Sequence, residues 1–325
     1  MTRAPLMDGE PATEPHGGAA VGSAHDRRDA TLVPPPETFP LRDVPETMTA
    51  FAHLARHTRY RAAVRRMVGR QGGFRLLEME LPRGLVEDLR VAVVDAMNRY
   101  GHAGWRSKEG ESARYGGFSL VSNPDHGDGL DPHVGTLGSP LNAAHEFYYN
   151  QRDGHLLVKN SYFDTYGFRH RTAASRHGAL GEFLDGLSRS LVRSRVGIIY
   201  GENVDPDDAN YRANAGWHRD EPVYQNLRVN IPLQTDDSFV LEIEGEPPRH
   251  LAPGKAYSWD THIPHRVYCR GRSPLQRIHL VLGLAPWFDY LASEDAWRPN
   301  GFFGEVHPFD LLRAGEVHPL IRGSA

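Results

Sequence analysis

Six short runs rich in Val, Ile, Leu and aromatic residues fill the stretch from 195 to 284, at 195–201, 227–233, 238–243, 256–259, 266–269 and 278–284, and no amphipathic helix separates them. Turn sequences such as GEPP, APGK and RGRSP punctuate the series. Strands that follow one another without intervening helices form antiparallel sheets that must bury an inner face, which predicts a β-sandwich or barrel. This half of the chain therefore sets the fold class as mainly β with flanking helices.

The first half has a different period. Met48, Phe51, Ala55, Tyr60, Val64 and Met67 recur at helical spacing over 45–68, and Val86, Leu89, Val93 and Met97 do so again. Leu180, Phe183, Leu184, Leu187 and Leu191 make a third apolar stripe, with Glu182, Asp185 and Arg189 on its opposite side, so this helix is expected to lie flat on a sheet. The glycine-rich stretch 104–140 reads as a long functional loop contributing to a pocket. Residues 1–38, rich in Pro, Gly, Ala and acidic or hydroxyl side chains, have no apolar period and are expected to be a disordered leader. The remainder, 39–325, is expected to be one domain, with a helical and loop-rich part at 39–194, a β core at about 195–290 and an extension at 291–325. That extension repeats GEVHP at 304–308 and 315–319, which reads as two structural turns.

Composition excludes several function classes. A chain of 325 residues with 39% apolar content can bury a substantial core, while a net charge of -4 gives no electrostatic case for nucleic acid or an anionic membrane. The single cysteine, Cys269, excludes an internal disulfide and a cysteine-rich zinc site, and fits a reducing cytoplasm. The N-terminal sequence has no apolar core of an export signal, and no stretch reaches the roughly 18 apolar residues a membrane helix requires.

Metal chemistry enters at WHRDEP, residues 217–222. An H-x-acid match is weak alone, since about two are expected by chance at this composition, and His126-Gly127-Asp128 is a second match in the glycine-rich loop. His218 and Asp220 stand beside strand-like sequence, and two residues two apart on an extended chain face the same side, which suits one ion. A third ligand must come from a neighbouring strand. His262 and His265 both qualify by type, and His265 opens the run 266–269. Two histidines and a carboxylate leave open coordination positions, the arrangement of non-haem Fe(II) oxygen chemistry. The competing reading is a charged loop beside a buried, hydrogen-bonded histidine; on either reading Arg219 and Glu221 are expected to face solvent.

Arg277 begins the apolar run QRIHLVLG, where a buried guanidinium needs an anion. A carboxylate matches its two-pronged donor geometry. Arg228, two before Asn230 in LRVNIPL, is a second inward candidate, with an ion pair to Asp236, Asp237 or Glu242 as its alternative.

The order His218-x-Asp220, LRVNIPL, Pro253-Gly254-Lys255, Trp259-Asp260, His265-Arg266-Val267-Tyr268 and Arg277 resembles the aspartyl/asparaginyl β-hydroxylase family of Fe(II)/2-oxoglutarate-dependent dioxygenases, which includes bacterial proline hydroxylases. The resemblance covers about 195–290. It implies a double-stranded β-helix, the cupin-like jelly roll, as the core of a single catalytic domain. It implies His218, Asp220 and His265 as iron ligands, Arg277 on the C5 carboxylate of 2-oxoglutarate, and Arg228 and Asn230 on the other carboxylate. The gap from His265 to Arg277 is twelve residues, longer than the family's, with the extra length in RGRSP, so Arg270 and Arg272 are outside candidates. Asp220 disfavours a halogenase, in which a small residue replaces the carboxylate.

Fe(II) with 2-oxoglutarate and O2 as cosubstrates, and hydroxylation of a small polar molecule such as an amino acid or natural-product precursor, follow from that resemblance. Trp105, Arg114, Tyr115, Asn160, Tyr162 and Arg169 are candidates to line the substrate site. A non-oxidative metal-binding cupin, an isomerase or a binding module, is the rival from another class. It would need the ion but neither Arg277 nor 2-oxoglutarate.

Overall fold

The computed structural model describes residues 38–45, 48–68, 76–107, 110–124, 147–150, 155–158, 165–201 and 215–323. The expected leader lies outside these apart from its last residue, Thr38.

The largest sheet has eight strands, in spatial order Arg322–Gly323 (β18), Leu77–Glu80 (β2), Lys255–Ser258 (β13), Leu227–Gln234 (β11), Gln276–Leu284 (β15), Arg195–Tyr200 (β9), Gly110–Ser119 (β4) and Ala103–Ser107 (β3). A three-stranded sheet joins Ala215–His218 (β10), His265–Cys269 (β14) and Phe239–Ile243 (β12). A second one joins Phe39–Pro40 (β1), Ala296–Pro299 (β17) and Phe288–Leu291 (β16). Two further strand pairs lie among the described residues: Val121–Ser122 (β5) with His170–Arg171 (β8), and Phe147–Asn150 (β6) with His155–Val158 (β7). All six expected runs are strands.

Alternation along β15 explains how the site is placed. Ile278, Leu280, Leu282 and Leu284 share one face with Val196 and Ile198 of β9 and Val229 and Ile231 of β11, and all join the main core. That core also contains Leu89, Val93 and Ala96 of the helix Leu85–Tyr100 (α3) and Leu180, Phe183 and Leu184 of the helix Gly178–Asp185 (α4). Each fully buried leucine of this kind contributes about 1.5–3 kcal/mol. The other face presents Arg277, His279 and Val281, in register with Ile199, Gly197 and Arg195 of β9 and with Asn230 of β11 opposite Val281. Leu241 and Ile243 of β12 pack there on Tyr257 and Trp259, and Phe239 with Cys269 packs on Ile199. The molecule is thus mainly β, with helices on one face of the large sheet and a small sheet on the other.

Three expectations need correction. The helix expected over 45–68 is two, Ala50–His57 (α1), capped by the Thr49 hydroxyl, and Tyr60–Val68 (α2), because Arg59 adopts a φ of 55° and the Thr58 hydroxyl donates back to the Leu54 carbonyl. The third helix stops at Asp185; Leu191 keeps its apolar character but bridges to Leu284 as extended chain. Within the stretch 104–140 the described residues as far as Ser119 are strand, β3 and β4, not loop. Gly117 serves a close approach of β4 to β9: a Cβ there would sit 1.8 Å from the Val196 carbonyl oxygen, and its φ is 140°. Residues 125–140 of that stretch, with His126 and Asp128, lie outside the described residues.

The two GEVHP copies are used alike. His307 accepts the Phe309 N–H on Nδ1 at the start of the helix Pro308–Arg313 (α5) and places Nε2 3.0 Å from the Tyr224 hydroxyl. His318 accepts the Leu320 N–H on Nδ1, and its Nε2 donates to the Phe183 carbonyl at 2.9 Å. Both histidines are buried and structural, as expected of turns.

Candidate metal centre

His218 is the last residue of β10 and pairs in register with His265, the first of β14. Asp220 lies just past the end of β10, not on it, and its N–H donates to the Thr261 carbonyl at 2.9 Å. The strand register and this turn bring three side chains from two chain segments together. His218 Nε2 is 3.8 Å and His265 Nε2 is 3.7 Å from Asp220 Oδ2, and the two rings stand 4.4 Å apart. Donor atoms of all three lie within 4.8 Å of one another, the one such group among the described residues.

Two ligands each about 2.1 Å from a shared ion can be no more than about 4.2 Å apart. Both Asp220–histidine separations satisfy that limit, so Asp220 can share a divalent transition ion with either histidine. The protonation states fit as well. His265 donates from Nδ1 to the Ile263 carbonyl at 2.9 Å, leaving the Nε2 lone pair for a metal, and burial holds its pKa down to about 4, so it is neutral near pH 7. Burial acts to raise the Asp220 carboxyl, but Arg228, His218 and His265 outweigh it and hold the group well below the usual carboxylate range. His262, the other candidate by type, stays outside the group with its Nδ1 near the Asp220 carbonyl.

No family model and no curated protein matches this sequence. Among solved structures the chain is similar to an oxidoreductase of the 2OG-Fe(II) oxygenase family from Burkholderia pseudomallei, at 15% identity, over 69% of this chain and 87% of that one, with a TM-score of 0.31. The chemistry of the site rests on its own residues.

Arginines stand beside the cluster on the sheet face. Arg228 donates from one terminal nitrogen to Asp220 Oδ2 at 2.5 Å and from the other to Glu221 Oε2 at 2.7 Å. Its partners are therefore neither Asp236, Asp237 nor Glu242, and its fork is engaged by the protein itself. Glu221 is also a correction: expected at the surface, it is 1% exposed and accepts from Arg193, Thr165 and Asn226 besides Arg228. Arg193 and Arg228 overcome its burial and hold its pKa down to about 2. Arg219 is exposed, as expected, and donates to the His262 carbonyl.

Arg277 is 8% exposed, and no carboxylate lies within ion-pairing distance among the described residues. A terminal nitrogen donates to His279 Nδ1 at 2.8 Å, and burial lowers the arginine pKa to about 10. Accepting on Nδ1 places the His279 proton on Nε2, which has no partner and is fully buried. Tyr115 lies across the same face, accepting from Arg195 Nε at 3.0 Å with its ring against Gly197. Asn230 is buried opposite Val281 and Tyr257. Arg169 is held by Asp295 at 2.8 Å and by the Gly167 carbonyl. Trp105 and Arg114 belong to β3 and β4, their side chains outside the described residues, as are Asn160 and Tyr162 altogether. The sequence reading missed Glu221 and His279; a histidine two after Arg277 on the same strand face was the available signal for the second.

Proposed function

We propose that this chain is an Fe(II)/2-oxoglutarate-dependent dioxygenase that hydroxylates an unactivated C–H bond of a small polar substrate, releasing succinate and CO2. The observation that carries the reading is the conjunction of a two-histidine, one-carboxylate group with Arg277, a buried guanidinium with no carboxylate partner among the described residues, on the sheet face that the small sheet covers. A plain divalent-ion site has no need of the second element. His218, Asp220 and His265 would hold Fe(II) and leave three positions open; the ion, when bound, supplies oxygen activation coupled to oxidation of the cosubstrate.

The residues of the chain do the rest. The fork of Arg277 binds the C5 carboxylate of 2-oxoglutarate, and the Asn230 amide, on the same face, serves the other carboxylate. The apolar pair Phe239 and Ile199 keeps water from that face and strengthens both contacts. Tyr115 and Arg195 edge the substrate space, with Trp105, Arg114, Asn160 and Tyr162 as further lining. The small sheet facing the large one supports a jelly-roll winding of 195–290.

The test is anaerobic addition of Fe(II) and 2-oxoglutarate, which should give a weak visible charge-transfer band, followed by oxygen and a succinate assay. Asp220→Ala and His265→Ala should abolish both signals and Asp128→Ala should not. Absence of the band in wild-type protein would sink the cosubstrate assignment.

A further inference from the structure

We infer that Glu221 is a positioning residue of the metal centre, acting through Arg228 on the ligand oxygen of Asp220; this rests on the metal site proposed above. Arg228 Nη1 contacts Oδ2 of Asp220, the same oxygen that faces both histidines. A cation in that place competes with a metal ion for the oxygen. What restrains it is Glu221, which takes the other terminal nitrogen of the guanidinium and is itself fixed from three further directions by Arg193, Thr165 and Asn226.

The arrangement carries marks of a built device. Arg193 holds a φ of 35°, a left-handed conformation that costs a non-glycine residue about 1–3 kcal/mol and persists only where its surroundings enforce it. The Glu221 carbonyl accepts the Thr261 hydroxyl at 2.8 Å while the Asp220 N–H donates to the Thr261 carbonyl at 2.9 Å, so one threonine clamps both carboxylate residues. Two carboxylates and two arginines balance in charge, and a single geometry presents Oδ2 between the histidines. With Glu221 neutralised, the guanidinium would turn wholly to Asp220 and withdraw its oxygen from the metal.

Co(II) is the probe, titrated calorimetrically and by its visible ligand-field bands in the absence of any cosubstrate. Glu221→Gln, which keeps an acceptor for Arg193, is expected to weaken Co(II) binding by about 10–100-fold, as outer-shell changes do. In an Arg228→Lys background, where the two-pronged link is already gone, the same change is expected to do little. Leu184→Ala, in the core helix α4, controls for stability and is expected to lower the melting temperature with Co(II) affinity unchanged. If Glu221→Gln fails to fold, Glu221→Asp takes its place, since its shorter arm cannot span Arg193 and Arg228 together. Undiminished affinity in the Glu221 variant, or an equal loss in both backgrounds, overturns the inference. A wild-type protein that binds no Co(II) overturns the metal reading itself.

Discussion

Arg228 and Arg277 stand on neighbouring strands of one sheet, on the same face, both buried, and their electrostatic situations are opposite. Burial lowers the pKa of each guanidinium. At Arg228 the carboxylates of Asp220 and Glu221 reverse this and raise it above the ordinary value, whereas at Arg277 burial prevails and the pKa falls to about 10. One cation is complete within the protein; the other is held in place by a neutral imidazole and is ready for an anion from outside. Equal burial of the same residue type therefore says little about function until the partners are counted.

That contrast can be broken by mutation. Arg228→Leu should cost about 3–5 kcal/mol in denaturant unfolding, because Asp220 and Glu221 would lose their shared counter-ion in a buried site. A loss below about 1 kcal/mol would mean the pair is solvated and the contrast empty. Arg277→Leu should leave unfolding free energy within about 1 kcal/mol of wild type, since it removes an unpaired buried charge at the expense of one hydrogen bond to His279. The same variant should weaken 2-oxoglutarate binding by about 100-fold or more with Co(II) affinity kept, and retained cosubstrate binding would remove Arg277 from the anion site.

Much of this was legible in the sequence for a definite reason. Apolar alternation of period two marks strands irrespective of partners, and it located all six runs of 195–284 as well as the two faces of β15. The triad followed because His218 and Asp220 are near neighbours and His265 opens a strand. Partner choice was not legible. Asp220 and Glu221 are adjacent and would face opposite sides of a strand, but the chain leaves β10 at His218 and turns, so both carboxylates reach one guanidinium. β4 was hidden because Gly116 and Gly117 carry no side chain to show a pattern, although Gly117 is what lets it lie against β9.

The GEVHP pair has a consequence for acidity. In each copy the histidine Nδ1 accepts a backbone N–H, which only a neutral imidazole can do, and burial lowers both pKa values, His307 to about 4. Folded values below the ordinary 6.5 mean that the hold of these rings is whole above that pH and is lost as the solution is acidified toward about 4. Amide hydrogen exchange at Phe309 and Leu320, corrected for intrinsic rates, should accelerate between pH 6.5 and 4; constant protection would place the sensitivity elsewhere. A protonated ring would turn a donor toward each of those amides, so the turns at Phe309 and Leu320 would loosen through one chemical event occurring at two places, while Nε2 keeps its contacts to Tyr224 and Phe183.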